Sequence, residues 1–275
     1  MTRRQSTKQL KPVVNILWTG GWDSTFRVLQ LSMKNVIIQP YYLLDKVRQS
    51  RKVEMDTIEL LTDKILNQKT TLCEINDLII INVQSRDLPA DHRISLAYKA
   101  LRQNHWFGEQ YLWIARLAHR VNGLELSIHR DDKASQALNA FGETFLVSDN
   151  KTGNYYKLDV PRSSGELLTV FGGLRFPVLN YSKLDMKMEA EKLGFIEILN
   201  KSWFCHNPVK NKPCGWCNPC VYAIEEGLSY RFSKTALARY KIKKYSPIPR
   251  KALAGLGLSS VARKVRRLIE KMEPE

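Results

Sequence analysis

The sequence predicts an α/β protein built on a doubly wound parallel sheet, with a small four-cysteine segment and a basic helical tail at its C-terminal end. Three observations carry this. Up to residue 130, apolar runs rich in β-branched residues alternate with stretches of helical periodicity, the rhythm of βαβ units. The first such run ends at two adjacent glycines, Gly20 and Gly21. Near the other end, Cys205, Cys214, Cys217 and Cys220 crowd into sixteen residues. The expected layout is a basic arm over 1–12 and an α/β domain over 13–200 with a hairpin insertion near 144–160. A cysteine segment over 201–232 and a basic tail over 233–275 complete it.

The arm carries Arg3, Arg4, Lys8 and Lys11 without hydrophobic periodicity. Val13 to Trp18 has the composition of a buried strand. It runs into Thr19-Gly20-Gly21-Trp22-Asp23-Ser24-Thr25, after which Phe26, Val28, Leu29 and Leu31 repeat at helical spacing. Paired glycines between a strand and a helix admit positive φ and let a ligand come close. The first helical amides point outward there, at the positive end of the helix dipole. Such a turn suits phosphate. Asp23 adds a carboxylate for a metal ion and Ser24 a hydroxyl donor, as a pyrophosphate bound with Mg²⁺ requires. The plainer reading is a tight turn with Asp23 or Ser24 as helix N-cap.

Asn35 to Leu44 reads as the second strand. The polar segment from Asp45 to Glu54 follows at its carboxyl end, where open parallel sheets bind ligands. Asp45, Arg48 and Arg51 are therefore candidate substrate residues, against a simple solvated loop. Met55, Ile58, Leu61, Ile65 and Leu66 have helical spacing, and Asp77 to Val83 reads as a strand buried on both faces. Gln84 to Asn104 is a polar passage. Gly108 to Val121 reads as a helix closed by Asn122-Gly123, and Leu124 to His129 as the fourth strand. Arg130, Asp131 and Asp132 lie just past that strand, placed either to meet a ligand or to form a cap or salt bridge. Thr144 to Ser148 and Tyr155 to Val160 flank a turn-forming stretch and predict a hairpin. Arg175 to Leu179 returns to the core, and Ser182 opens a capped helix ending at Leu193-Gly194.

At 275 residues the chain suits one α/β domain with an appendage. No stretch approaches the ~18 consecutive apolar residues of a membrane span, and the polar start lacks the apolar core of a signal peptide, so a cytoplasmic protein without a membrane is expected. The net charge of +16 favours an anionic partner such as ATP, a nucleic acid or an acidic protein. Lys241, Lys243, Lys244, Arg250, Lys251, Arg263, Lys264, Arg266 and Arg267, with Tyr240 and Tyr245 interleaved, would place that partner on the tail. A homodimer is one assembly the chain admits.

Cys205, Cys214, Cys217 and Cys220 form a C-x8-C-x2-C-x2-C pattern. Two residues between cysteines let a turn bring both sulfurs to one metal, and four thiolates with no open position make a structural zinc site. Free thiols, an iron–sulfur cluster and a redox pair are the other readings of such a set. Cys73 stands apart and reads as a buried thiol.

The glycine bend resembles the Ser-Gly-Gly-x-Asp-Ser loop of the N-type ATP pyrophosphatases, with Thr19 standing for the usual Ser. Together with the cysteine pattern it resembles the 7-cyano-7-deazaguanine synthase family. Asn15 to Phe26 and Arg175 to Cys220 carry the likeness, with Pro177, Ser182, Lys183, Ser202 and Trp203 in the family's order. The resemblance implies an AMP-forming ligase that adenylates 7-carboxy-7-deazaguanine, or a related deazapurine acid, for attack by ammonia or another amine. It further implies ATP held along Trp18, Thr19, Gly20, Gly21, Asp23, Ser24 and Thr25. Asp23 would hold Mg²⁺, Ser24 would bind pyrophosphate, and Lys183 would neutralise phosphate charge. The family's Tyr-Gly-Gln-x-His stretch is replaced here by Tyr42-Leu43-Leu44-Asp45. Two other functions fit the charge: a tRNA-modifying relative that adenylates a base, and a non-enzymatic zinc module that binds nucleic acid.

Overall fold

The computed structural model describes residues 10–245. Most of the arm, and the tail beyond Tyr245 with Arg250, Lys251, Arg263, Lys264, Arg266 and Arg267, lie outside the described residues. In chain order the elements begin with β1 (Val13–Leu17), α1 (Trp22–Ser32), β2 (Ile37–Leu44), α2 (Arg51–Leu66), β3 (Glu74–Ile75) and β4 (Ile79–Asn82). They continue with α3 (His92–Asn104), α4 (Gln110–Ala118), β5 (Leu124–Glu125), α5 (Lys133–Phe141), β6 (Thr144–Val147) and β7 (Tyr155–Leu158). The last are α6 (Gly165–Phe171), β8 (Leu174–Arg175), α7 (Lys183–Lys192), α8 (Ile196–Leu199), α9 (Asn218–Ala223) and α10 (Lys234–Tyr245).

Six strands form one sheet in the order β3-β2-β1-β5-β8, with β4 also on β2, and every pair is parallel. From β1 the chain winds outward through β2 to β3 and β4, then crosses back to lay β5 on the opposite side of β1. Open α/β sheets take their ligands beyond the carboxyl ends of the strands that flank such a reversal, here β1 and β5. Two cores flank the sheet. Val14 and Ile16 join Phe26, Leu29, Ile58 and Leu61 on one face, whereas Leu17 joins Leu101, Tyr111, Leu138 and Phe171 on the other. The four cysteines of the C-terminal segment belong to the first core, so that segment is built onto the α1 and α7 side of the sheet.

The predicted α/β class and the hairpin are present, and several local expectations are corrected. The run Asp77 to Val83 forms only β4, at the sheet margin, where Ile79 and Ile80 are 40% and 43% exposed instead of buried on both faces. The polar passage Gln84 to Asn104 contains α3, whose buried Ile94, Ala97, Tyr98 and Leu101 make one helical stripe, capped by Asp91 accepting from the Arg93 and Ile94 amides. Of Leu124 to His129 only two residues pair as β5; the chain then leaves the sheet, and the Arg130 amide donates to Tyr181 at 2.9 Å. The helix read over Gly108 to Val121 spans Gln110–Ala118, and its C-cap is His119 rather than Asn122-Gly123. Helix α9 stops at Ala223, followed by a wider turn in which Gly227 takes φ +90°.

Candidate functional site

The glycine bend sits at the carboxyl end of β1, between that strand and α1. Gly20 has φ +69°, a conformation that disfavours any residue with a Cβ, and Gly21 is the extended N-cap of α1. No side chain caps this helix, so neither Asp23 nor Ser24 plays that part. Ser24 is buried and its Oγ lies 3.5 Å from the Gly21 carbonyl. Trp18 and Thr25, both fully buried, meet through Trp18 Nε1 donating to Thr25 Oγ1 at 3.1 Å, which braces the bend from below. Thr19, Gly21 and Asp23 remain partly exposed. The bend is held from outside as well, because the Trp203 amide donates to the Gly20 carbonyl at 2.7 Å.

Asp23, on the first turn of α1, meets a cluster of charges assembled from three other places in the chain. Its Oδ2 lies 3.4 Å from His129 Nδ1 and 3.9 Å from Lys183 Nζ. Lys183, at the start of α7, also reaches Glu226 Oε2 at 2.7 Å, and His129 Nε2 lies 3.5 Å from Glu226 Oε1. Burial works against the charge on each member, yet the opposite charges win. Asp23 and Glu226 are held below the usual carboxylate range by Lys183 and His129. Lys183 is raised by Asp23 and Glu226, and His129 is pushed up to about 10 by the same two carboxylates. Asp132 behaves differently: burial raises its carboxyl, which accepts from the Ala134 amide at 2.7 Å and the Tyr111 hydroxyl at 3.3 Å.

Asp23 Oδ1 is buried with no hydrogen-bond partner. A buried ionised oxygen without a partner is costly, so an atom in this position marks where a cation or a donor belongs. The uncapped amides of α1 and the ammonium of Lys183, which Glu226 also holds at 2.7 Å, are the groups here that could meet an anion, and this orphaned oxygen is the one that could meet a cation.

Sequence reasoning named Asp23, Ser24 and Lys183 and missed His129 and Glu226. His129 ends the apolar run Leu124 to His129, so its place at a strand's carboxyl end was its only signal. Glu226 had none, since it depends on the wide turn after α9. The predicted substrate residues fall into two groups. Arg48 ties down the loop before α2, with Nε 3.1 Å from Glu54 Oε1 and Nη2 2.7 Å from His206 Nε2. Glu54 also accepts from Tyr42 and Ser50, Asp45 from Gln84 at 3.0 Å, and Arg51 donates to the Lys46 carbonyl. Arg130 stands apart from that loop, pairing with Asp185 at 3.4 Å and Asp131 at 3.8 Å.

Cys205, Cys214, Cys217 and Cys220 are all buried, unbridged, and have sulfurs within 4.8 Å of one another. Cys214 Sγ lies 3.8 Å from Cys220 Sγ and Cys217 Sγ 3.9 Å from Cys205 Sγ. A tetrahedron with Zn–S bonds of about 2.3 Å has edges of about 3.8 Å. Backbone amides support the thiolates: Cys214 donates to Cys205 Sγ, and Trp216 and Cys217 donate to Cys214 Sγ, at 3.2 to 3.3 Å. The set can hold zinc with no position left for water. Cys73 is a separate buried thiol, pushed up to about 11 by burial.

Among the described residues no helix is long and apolar enough to cross a membrane. No protein-family model matches this chain, and no curated protein matches it. One solved structure to which it is similar is described as a predicted subunit of tRNA methyltransferase from Methanocaldococcus jannaschii DSM. That match has 11% identity and a TM-score of 0.27, over 70% of this chain and 93% of the other.

Proposed function

We propose that the protein is an ATP-dependent, AMP-forming ligase that adenylates a small carboxylate, 7-carboxy-7-deazaguanine or a related deazapurine acid, for attack by ammonia or another amine. The observation that carries this reading is the orphaned Asp23 Oδ1 beside the uncapped start of α1, with Lys183 alongside. In this reading a substrate carboxylate oxygen attacks the α-phosphorus of ATP, the bond to the β-phosphate bridging oxygen breaks, and pyrophosphate leaves. Amides of the bend and the Ser24 hydroxyl receive its oxygens, and Lys183, kept charged by its carboxylate neighbours, offsets their charge. Asp23 would hold Mg²⁺, whose charge would further neutralise the leaving group. Against burial, Lys183 and then His129 keep Asp23 ionised for that task. The four-cysteine centre takes zinc in a structural role.

The test is incubation of the zinc-loaded protein with Mg-ATP, ammonium and 7-carboxy-7-deazaguanine, following AMP and pyrophosphate. Acid-dependent release of both supports the proposal. Release with tRNA alone would transfer the chemistry to a base, the alternative that the +16 charge favours. Absence of turnover with either would overturn the ligase reading.

A further inference from the structure

Trp106 is 56% exposed, although the residues on either side of it pack inward. Phe107 is buried, with its ring centre 5.3 Å from that of Tyr98 and 5.8 Å from that of Phe171, and the His105 ring stands 5.3 Å from Phe141. The loop between α3 and α4 is thus held from both sides while it presents the indole to solvent. Two other elements come to the same point. Lys133, exposed on the first turn of α5, has its ammonium 4.8 Å from the Trp106 ring centre and 5.7 Å from that of Tyr222 on α9. Tyr222 is 36% exposed, and its helix is anchored by buried Cys220 and Ala223.

This trio borders the charge cluster around Asp23. His129 and Glu226 approach to 3.5 Å, and from that contact Lys133 lies four residues onward in the chain while Tyr222 lies four residues back. Four residues span at most about 14 Å, so the meeting of Lys133 with Tyr222 is a second rung between the same two segments. Among the described residues Lys133 has no ion pair or hydrogen bond. The acids beside it in the chain are engaged elsewhere, Asp131 with Arg130 and Asp132 with the Ala134 amide and the Tyr111 hydroxyl. Two rings therefore hold the ammonium in place without neutralising it.

We propose that Trp106, Lys133 and Tyr222 form the subsite for the acid substrate, Lys133 pairing with its carboxylate and the exposed indole stacking on its flat heterocycle; the identity of that acid rests on the ligase reading. A single ammonium matches a monoanion, whereas a triphosphate needs several donors, such as the amides at the start of α1. The indole face adds a stacking contact that a planar ligand alone can use. Tyr222 keeps the ammonium from swinging out into solvent.

The test is calorimetric titration of the full-length, zinc-loaded protein, without ATP, with 7-carboxy-7-deazaguanine and with 7-deazaguanine, the same ring lacking the acid. The acid should bind at least about tenfold more tightly than the bare ring. Lys133→Met should remove that advantage and leave the affinity for the bare ring unchanged, whereas Trp106→Ala should weaken both ligands about tenfold. Zinc content, urea midpoint and Mg-ATP affinity should match the wild type in each variant. Equal binding of the two ligands, unchanged acid affinity in either variant, or a loss of Mg-ATP affinity as large as that for the acid would each overturn the subsite. Acid binding that depends on Lys133 in a protein forming no AMP would instead sustain the subsite and sink the ligase reading.

Discussion

The Trp203 amide donates to the Gly20 carbonyl at 2.7 Å, which fastens the chain entering the four-cysteine centre to the left-handed residue of the glycine bend. Trp203 stands two residues before Cys205, and its indole Nε1 donates to the Cys205 carbonyl at 2.8 Å. The four-cysteine centre and the glycine bend are thus joined through Trp203 by these two hydrogen bonds.

Zinc removal should therefore act at a distance. Structural zinc contributes folding free energy directly. Cys217→Ser, or chelation of the wild type, should abolish zinc binding, lower the thermal midpoint and remove AMP formation together, as read by metal analysis beside a melting curve. A soluble, fully active Cys217→Ser variant would contradict a structural metal.

Gly20→Ala should destabilise the protein by about 1–2 kcal/mol from the left-handed φ alone. The added Cβ would also meet Thr57 Cγ2 at 3.1 Å and the Glu54 carbonyl at 3.3 Å, both on α2. Urea unfolding measures the loss, and unchanged stability would show that the bend is not strained.

A second anchor lies beneath α1. Arg27 donates twice to Glu125, both bonds at 2.7 Å, and once to the Thr152 carbonyl at 2.8 Å, with neither side chain exposed to solvent beyond 3%. Removing one partner strands a buried charge, so Glu125→Gln should cost about 3–5 kcal/mol, whereas joint replacement of the pair by apolar residues should cost less. A double-mutant cycle in urea distinguishes these outcomes.

Much of the fold was legible because its signals are local. Val13 to Trp18 and Asn35 to Leu44 are β-branched runs bounded by turn residues, and they became the paired centre of the sheet. The cysteine spacing needed no tertiary information. Helix α3 was hidden because its exposed face is so polar that four buried residues scarcely register, and β5 was overread because an apolar run can leave its sheet after two residues. The site was half legible for the same reason. Asp23 follows its glycines in sequence, whereas His129 and Glu226 reach it only through the crossover to β5 and the wide turn after α9.

His129 gives stability a pH signature. Its folded-state value of about 10 lies above the unfolded value of about 6.5, so its contribution is complete below about pH 6.5 and is lost as pH rises through about 10. Urea midpoints should fall across that window in the wild type and fall less in His129→Gln. Parallel profiles for the two proteins would mean that His129 does not carry the charge that holds Asp23 and Glu226 together.

In the proposed ligase reaction Asp23 is the residue through which ATP would be engaged. Its most direct test is AMP release from Mg-ATP and the carboxylate by Asp23→Asn beside the wild type, with zinc content and urea midpoint measured on both. The account predicts a folded, zinc-loaded variant whose AMP release falls by about 100-fold or more. A folded variant that releases AMP at the wild-type rate would contradict it.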